Sequence, residues 1–192
     1  MSAVIVAPHC DDAELGCSMM APGAKLLVIS AADVRRWHEQ KRGAAILGVS
    51  LVGGAEFPDG EITHNKQLVG AIEQAITSAV QTVLTPPYLD THQDHIAVAA
   101  AAISAVRRSP VALIEYETPS VRPDWQPNLW VPMSQADLER QARAVGEHQS
   151  QSDRPYMDPA WAAMRAAYRG QQVGLPLAQA YRVVRAVYQV PR

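Results

Sequence analysis

The sequence predicts an α/β fold built on a doubly wound, mostly parallel sheet. Three observations predict it. Short β-branched runs alternate with longer amphipathic ones over the first two-thirds of the chain, the pattern of parallel strands covered by helices on both faces. The runs at Ala3–Ala7 (AVIVA) and Lys25–Ser30 (KLLVIS) are nearly continuous in apolar residues, as strands buried on both faces are. The chain has 192 residues, 48% hydrophobic and 19% charged, which suits one domain with a real core. The expected architecture is a single domain over residues 1–192 with a Rossmann-like sheet of order 3-2-1-4-5 and an additional C-terminal strand.

Each element has its own signal. A short helix is expected from about Ala13 to Met20, after the first strand. Ala32–Leu47 carries apolar residues at helical spacing and stops at Gly48, a residue suited to the left-handed end of a helix. Ser50–Gly53 is a weak third strand. Asn65–Val80 reads as a helix, Gln81–Thr85 as a strand, His92–Arg108 as a helix and Val111–Tyr116 as a strand. The stretch Thr118–Pro132 holds four prolines and two tryptophans and reads as an ordered, irregular loop. Beyond it, a helix is expected over Gln135–Glu147 with Ser134 as its N-cap, another over Pro159–Arg169, and a final strand over Tyr181–Val190.

Composition excludes several classes. Lys and Arg number 17 against 19 Asp and Glu, so there is no basic footprint for nucleic acid. The apolar N-terminus has no positive flank and Pro8 follows at once, so it reads as a strand and not as a signal peptide. The apolar stretch from Ile96 to Val106 is too short for a bilayer, which needs ~20 residues. The chain is expected to be cytoplasmic, with no transmembrane segment, and both Cys10 and Cys17 are expected to be reduced.

Two clusters carry chemistry. Pro8-His9-Cys10-Asp11-Asp12-Ala13-Glu14-Leu15-Gly16 follows the first strand. Asp90-Thr91-His92-Gln93-Asp94-His95 follows the fourth strand and opens a helix. In the expected strand order, strands one and four are neighbours at the switch point, where ligands bind outside the carboxyl ends. His9, Asp11, Asp12, His92, Asp94 and His95 are therefore expected to meet in one crevice. Either cluster alone also suits a helix cap, because aspartate caps freely. Together, so many buried polar groups need pairing or a cation. Zinc is the natural cation, with three protein ligands and one open position. His9, Asp12 and His95 are its expected ligands. Asp11 is then free to accept a proton from the attacking water. His92 faces the other side of the reacting carbon, with Asp94 or Asp90 orienting it and holding it protonated. On this expectation His92 titrates high and Asp11 low in the active form. Such a site also admits Fe(II), Co(II) or Mn(II).

On these motifs the sequence resembles the LmbE-like or PIG-L family of zinc-dependent deacetylases. The family's His-Pro-Asp-Asp motif stands here as His9-Cys10-Asp11-Asp12, and its Asp-x-His-Pro-Asp-His motif as Asp90-Thr91-His92-Gln93-Asp94-His95. Weaker echoes are Arg36-Trp37-His38-Glu39 with Leu47-Gly48-Val49, Pro58-Asp59-Gly60, Ser150-Gln151 and Ala178-Gln179-Ala180-Tyr181. The resemblance implies zinc on His9, Asp12 and His95. It implies Asp11 as general base, His92 as acid and oxyanion stabiliser with Asp94 in support, and Arg36 and Asp59 as substrate contacts. It also implies an N-acylated amino sugar or related amine as substrate, and a homo-oligomer. Cys10 and Gln93 stand where the family has proline, Gln179 where it has an acidic residue, and the segment from Cys17 to Arg35 is short. The competing readings are a metal-dependent amide or ester hydrolase on a non-sugar substrate, a non-catalytic binding module, and a degenerate, inactive relative. A phosphate-binding module is disfavoured by the absence of G-x-G-x-x-G and of a P-loop.

Overall fold

The structure is a computed structural model that describes residues 2–54 and 57–187. The chain runs β1 (Ala3–His9), α1 (Asp12–Gly16), β2 (Lys25–Ser30), α2 (Val34–Leu47), β3 (Ser50–Gly54), α3 (Lys66–Ala75) and β4 (Thr82–Thr85). It continues with α4 (Gln93–Val106), β5 (Ala112–Tyr116), β6 (Leu129–Pro132), α5 (Gln135–Gly146), α6 (Pro159–Gln171) and β7 (Ala178–Arg185). Its sheet has the order β3-β2-β1-β4-β5-β7-β6. The first five strands are parallel, and β7 and β6 add on antiparallel.

The alternation of β1 explains the layers. Ile5 and Ala7 point to one face and pack with Leu26, Val28, Leu47, Tyr116 and Tyr181. Val4 and Val6 point to the other, among Leu27, Ile29, Leu68, Ile72 and Val98. Successive strand residues face opposite sides, so a strand covered on both faces is apolar throughout. Every residue of β1 is buried. No helix of the described residues is long and apolar enough to cross a membrane.

The structure corrects four element expectations. The helix expected to reach Met20 ends at Gly16; Cys17 N–H bonds Ala13 O and Met20 N–H bonds Cys17 O, so the chain turns before Pro22. The helix expected to reach Val80 ends at Ala75, where Ile76 leaves helical geometry and Thr77 and Val80 form a turn. The tail of the Thr118–Pro132 loop is the edge strand β6. Its pairing with β7 is a tertiary event, and Pro132 is tolerated because it lies on the edge. The final strand starts at Ala178, three residues early. The part of that expectation at residues 188–190 lies outside the described residues.

Candidate metal and active site

The switch point forms as expected. β1 and β4 are paired in parallel, so the turn after His9 and the loop before α4 meet at one end of the sheet. The first turn is unusual. Asp11 has φ 105°, a left-handed conformation that costs a non-glycine residue energy. The turn folds Asp12 back, and the His9 N–H donates to Asp12 Oδ2 at 2.8 Å. The second cluster starts α4 with His92 as its N-cap, whose Nδ1 accepts from the Asp94 N–H at 3.2 Å.

The three rings His9, His92 and His95 lie with centroids 4.8 to 5.5 Å apart. His9 Nε2 is 2.9 Å from Asp94 Oδ2, and His95 Nδ1 is 2.9 Å from Asp90 Oδ2. A carboxylate only accepts, so these nitrogens carry the ring protons. The remaining nitrogens, His9 Nδ1 and His95 Nε2, then face the two oxygens of Asp12 at 3.5 and 3.4 Å. Lone pairs facing lone pairs in a buried site require a cation between them. Either extra protons or a metal ion meets that need. His9, Asp12 and His95 are all buried, with ligand atoms within 4.8 Å of one another. Two imidazoles and one carboxylate, each ring braced by a second carboxylate, suit a divalent ion with an open position. His9, His92 and Asp94 form a second group of the same kind. That set is the poorer one, because Asp94 already accepts from Gly60 N–H at 2.8 Å and Ile62 N–H at 3.2 Å.

The electrostatics follow from this packing. Burial alone lowers the His9 pKa, but the hydrogen bond to Asp12 and its charge, with Asp94 and Asp59, raise it to about 9. Burial alone also lowers His95; Asp12 and Asp90 outweigh it and raise the value. Asp12 is driven far below the ordinary carboxylate range, since His95 and His9 overcome its burial. Asp11 is raised to about 7, by burial first and by the charge of Asp12 next. His92 is lowered by burial and then by His95 and His9.

In the metal-free chain Asp11 is raised and His92 lowered; the opposite order expected from sequence belongs to the active form. One expectation is corrected, the partner of Asp94. Asp94 supports His9 and not the His92 ring; only its backbone N–H reaches His92. The reason is positional. As the first residues of a helix, His92 and Asp94 meet through a cap, while the Asp94 side chain turns back towards β1. His92 is then a neutral ring that accepts at Nδ1 and carries its proton on Nε2.

The cleft over these groups has a volume of about 340 Å³ and is lined by Asp11, Asp12, His92, Ser120, Arg154 and Tyr156, among others. Arg36 and Asp59 also line it. The Arg36 guanidinium is already engaged: it donates to Cys10 O at 3.0 Å and Asp59 Oδ2 at 3.2 Å, and lies 3.5 Å from Asp11 Oδ2. Asp59 Oδ1 is 3.2 Å from His9 Nε2. Cys10 is buried and free, as is Cys17. Sequence reasoning missed Thr118, which donates to Asp90 Oδ2 at 2.5 Å, and the buried His148. Arg154 and Tyr156 at the cleft were missed too. No motif marks these residues, since they arrive from distant loops.

Fold and site together define an α/β protein with a candidate His/Asp metal centre at the switch point of its sheet. The chain belongs to the PIG-L family, whose model, described as GlcNAc-PI de-N-acetylase, matches residues 4–106. It is 27% identical over 165 residues to the uncharacterized deacetylase YaiS of Escherichia coli K12, covering 76% of this chain and 89% of that one. Its fold is similar to that of the conserved protein TT1542 from Thermus thermophilus, with a TM-score of 0.81 at 25% identity over 98% and 97% of the two chains. It is also similar to the N,N'-diacetylchitobiose deacetylase from Pyrococcus horikoshii, with a TM-score of 0.79 at 17% identity over 95% and 83%. GalB, the 4-carboxy-2-hydroxymuconate hydratase of Pseudomonas putida KT2440, shares the fold with a TM-score of 0.76 at 14% identity over 100% and 99%. The fold alone therefore does not fix the reaction.

Proposed function

We propose that this chain is a zinc-dependent deacetylase that releases acetate from an N-acetylated amino sugar. The observation that carries this reading is the buried Asp12 carboxylate facing His9 Nδ1 and His95 Nε2, with Asp11 and His92 on the same cleft. The family description and the printed names of YaiS and the diacetylchitobiose deacetylase support the acyl group and the sugar. When bound by His9, Asp12 and His95, the ion lowers the pKa of water towards ~7 and polarises an acyl oxygen.

This chain's own residues do the rest. Asp11, whose carboxylate lines the cleft beside Asp12, takes the proton of the attacking water as general base. His92 donates from Nε2 to the oxygen of the developing tetrahedral carbon, a contribution of about 3–4 kcal/mol for one such donor. The leaving amine recovers the proton from Asp11. Arg36 holds Asp11 and Asp59 in place, and Asp59, 43% exposed at its side chain, is left to meet a sugar hydroxyl. Iron(II), cobalt(II) or manganese(II) in place of zinc leaves these roles unchanged.

Elemental analysis of the purified protein beside an Asp12→Ala/His95→Ala double variant tests the centre, and acetate release from N-acetylglucosamine derivatives tests the reaction. About one divalent metal per chain, absent from the variant, with acetate released by the wild type alone, is expected. A wild type that binds no metal after zinc is supplied sinks the proposal. The hydratase neighbour supports a second reading, addition of water to a carbon–carbon double bond in the same cleft. Hydration of an unsaturated acid without acetate release from any N-acetyl amine selects it.

A further inference from the structure

Behind Asp11 lies a chain of buried polar groups that the proposed reaction leaves unused. The Asp11 N–H donates to Gln40 Oε1 at 3.1 Å, and Gln40 Nε2 donates to Glu14 Oε1 at 2.7 Å. Gln40 and Glu14 are both fully buried. Because a carboxylate only accepts, Glu14 decides which end of the Gln40 amide faces it and which faces Asp11. The other Glu14 oxygen lies 3.6 Å from Nε2 of the buried His148, and neither atom has a hydrogen-bond partner among the described residues. Glu14 is thus pinned between a donor on α2 and a histidine at the end of α5. Gly43 makes the room. A Cβ there would stand 2.6 Å from Glu14 Oε1 and 3.1 Å from His148 Nε2.

Arg36, Gln40 and Gly43 are spaced i, i+4 and i+7, so one face of α2 grips the turn after β1. Arg36 takes the Cys10 carbonyl and lies against the Asp11 side chain; Gln40 takes the Asp11 N–H. The grip has a purpose. Consecutive residues in ordinary backbone send their side chains apart, yet Asp11 and Asp12 both line the cleft. The left-handed Asp11 makes that possible, and such a conformation persists only where its surroundings hold it.

We propose that Gln40 is a positioning residue: Glu14 orients its amide, and the amide holds Asp11 in the conformation that puts both carboxylates on the cleft. The catalytic consequence rests on the deacetylase reading; the conformational part does not. The test compares the wild type with Gln40→Met, Gln40→Glu and the Gln40→Glu/Glu14→Gln exchange, by kinetics, metal content and amide hydrogen exchange at Asp11. Gln40→Met is expected to lose about 10-fold to 100-fold in kcat, as small misplacements of catalytic groups do. KM and metal content should stay unchanged, and the Asp11 amide should exchange faster. Gln40→Glu sets two carboxylates against each other and is expected to be worse. The exchange variant restores one donor facing one acceptor and is expected to recover kcat and slow exchange. An Asp11 amide that exchanges at the wild-type rate in Gln40→Met overturns the proposal. So does a kcat loss that accompanies metal loss and is not recovered by the exchange variant, since that marks a merely structural role. If the wild type releases no acetate, the deacetylase reading falls, and the hydrogen exchange still decides whether Gln40 holds Asp11.

Discussion

Asp90 Oδ2 meets His95 Nδ1 at 2.9 Å, and so fixes which His95 nitrogen is turned to Asp12. Thr118 and the backbone N–H of His92 hold the same carboxylate. Removing that brace frees the ring and its tautomer. Asp90→Asn is expected to weaken metal affinity by about 10-fold to 100-fold while the fold survives, the usual cost of losing such a partner. Competition with a metal-sensitive chelator measures it; an unchanged affinity excludes the brace.

Metal binding should release protons. His9 is raised to about 9, so it is largely protonated at neutral pH in the chain by itself, and His95 is raised as well. A metal requires the neutral rings. Affinity is therefore expected to fall as pH drops and to rise as pH climbs towards about 9. Calorimetry in buffers of differing ionisation heat should detect the protons released at about pH 7; zero release would contradict the assigned ligands.

Asp11→Asn keeps the shape of the side chain and removes the base. It is expected to lower kcat by about 10²-fold to 10⁴-fold, the range of general base contributions, with metal content unchanged. Steady-state kinetics beside elemental analysis separates this from loss of the metal.

His148 gives a pH-dependent share of stability. Burial lowers its pKa, but Glu14, Asp11 and Glu39 outweigh burial and raise it above 6.5. The charged form is favoured in the folded chain, so the contribution is complete below about pH 6.5 and disappears as pH rises through the raised value. His148→Gln should be destabilised relative to wild type more at about pH 6 than at about pH 9. Equal differences in melting temperature at the two pH values would exclude it.

Gly43→Ala places a methyl group against Glu14, His148 and the Ala144 carbonyl, which stands 3.2 Å from the added carbon. Overpacking of this kind costs about 1–3 kcal/mol. Denaturant unfolding should show the loss, although alanine is the better helix former in isolation.

The order of the first five strands was legible because its signal is local. AVIVA and KLLVIS announce strands buried on both faces, and Gly48 announces the end of α2 at the residue where φ reaches 72°. The edge strand β6 was not legible, since four residues ending in proline become a strand only by pairing with β7, about fifty positions later. The site divides in the same way. Residue types and spacing picked out His9, Asp11, Asp12, His92, Asp94 and His95 as the groups that meet, because a strand order fixes which chain ends are neighbours. Spacing could not say that the Asp94 carboxylate serves His9 while its N–H caps onto His92, or that Asp90 serves His95. Nor could it show that Gln40, Glu14 and His148 stand behind Asp11. Those assignments depend on the direction of individual side chains and on a left-handed backbone at one residue, which contacts between distant segments set. The sequence by itself determined the first five strands of the sheet and the His/Asp groups that meet at the site; the tertiary structure added the edge strand and the residues from distant loops, and decided which nitrogen, oxygen and N–H each group turns to its neighbour.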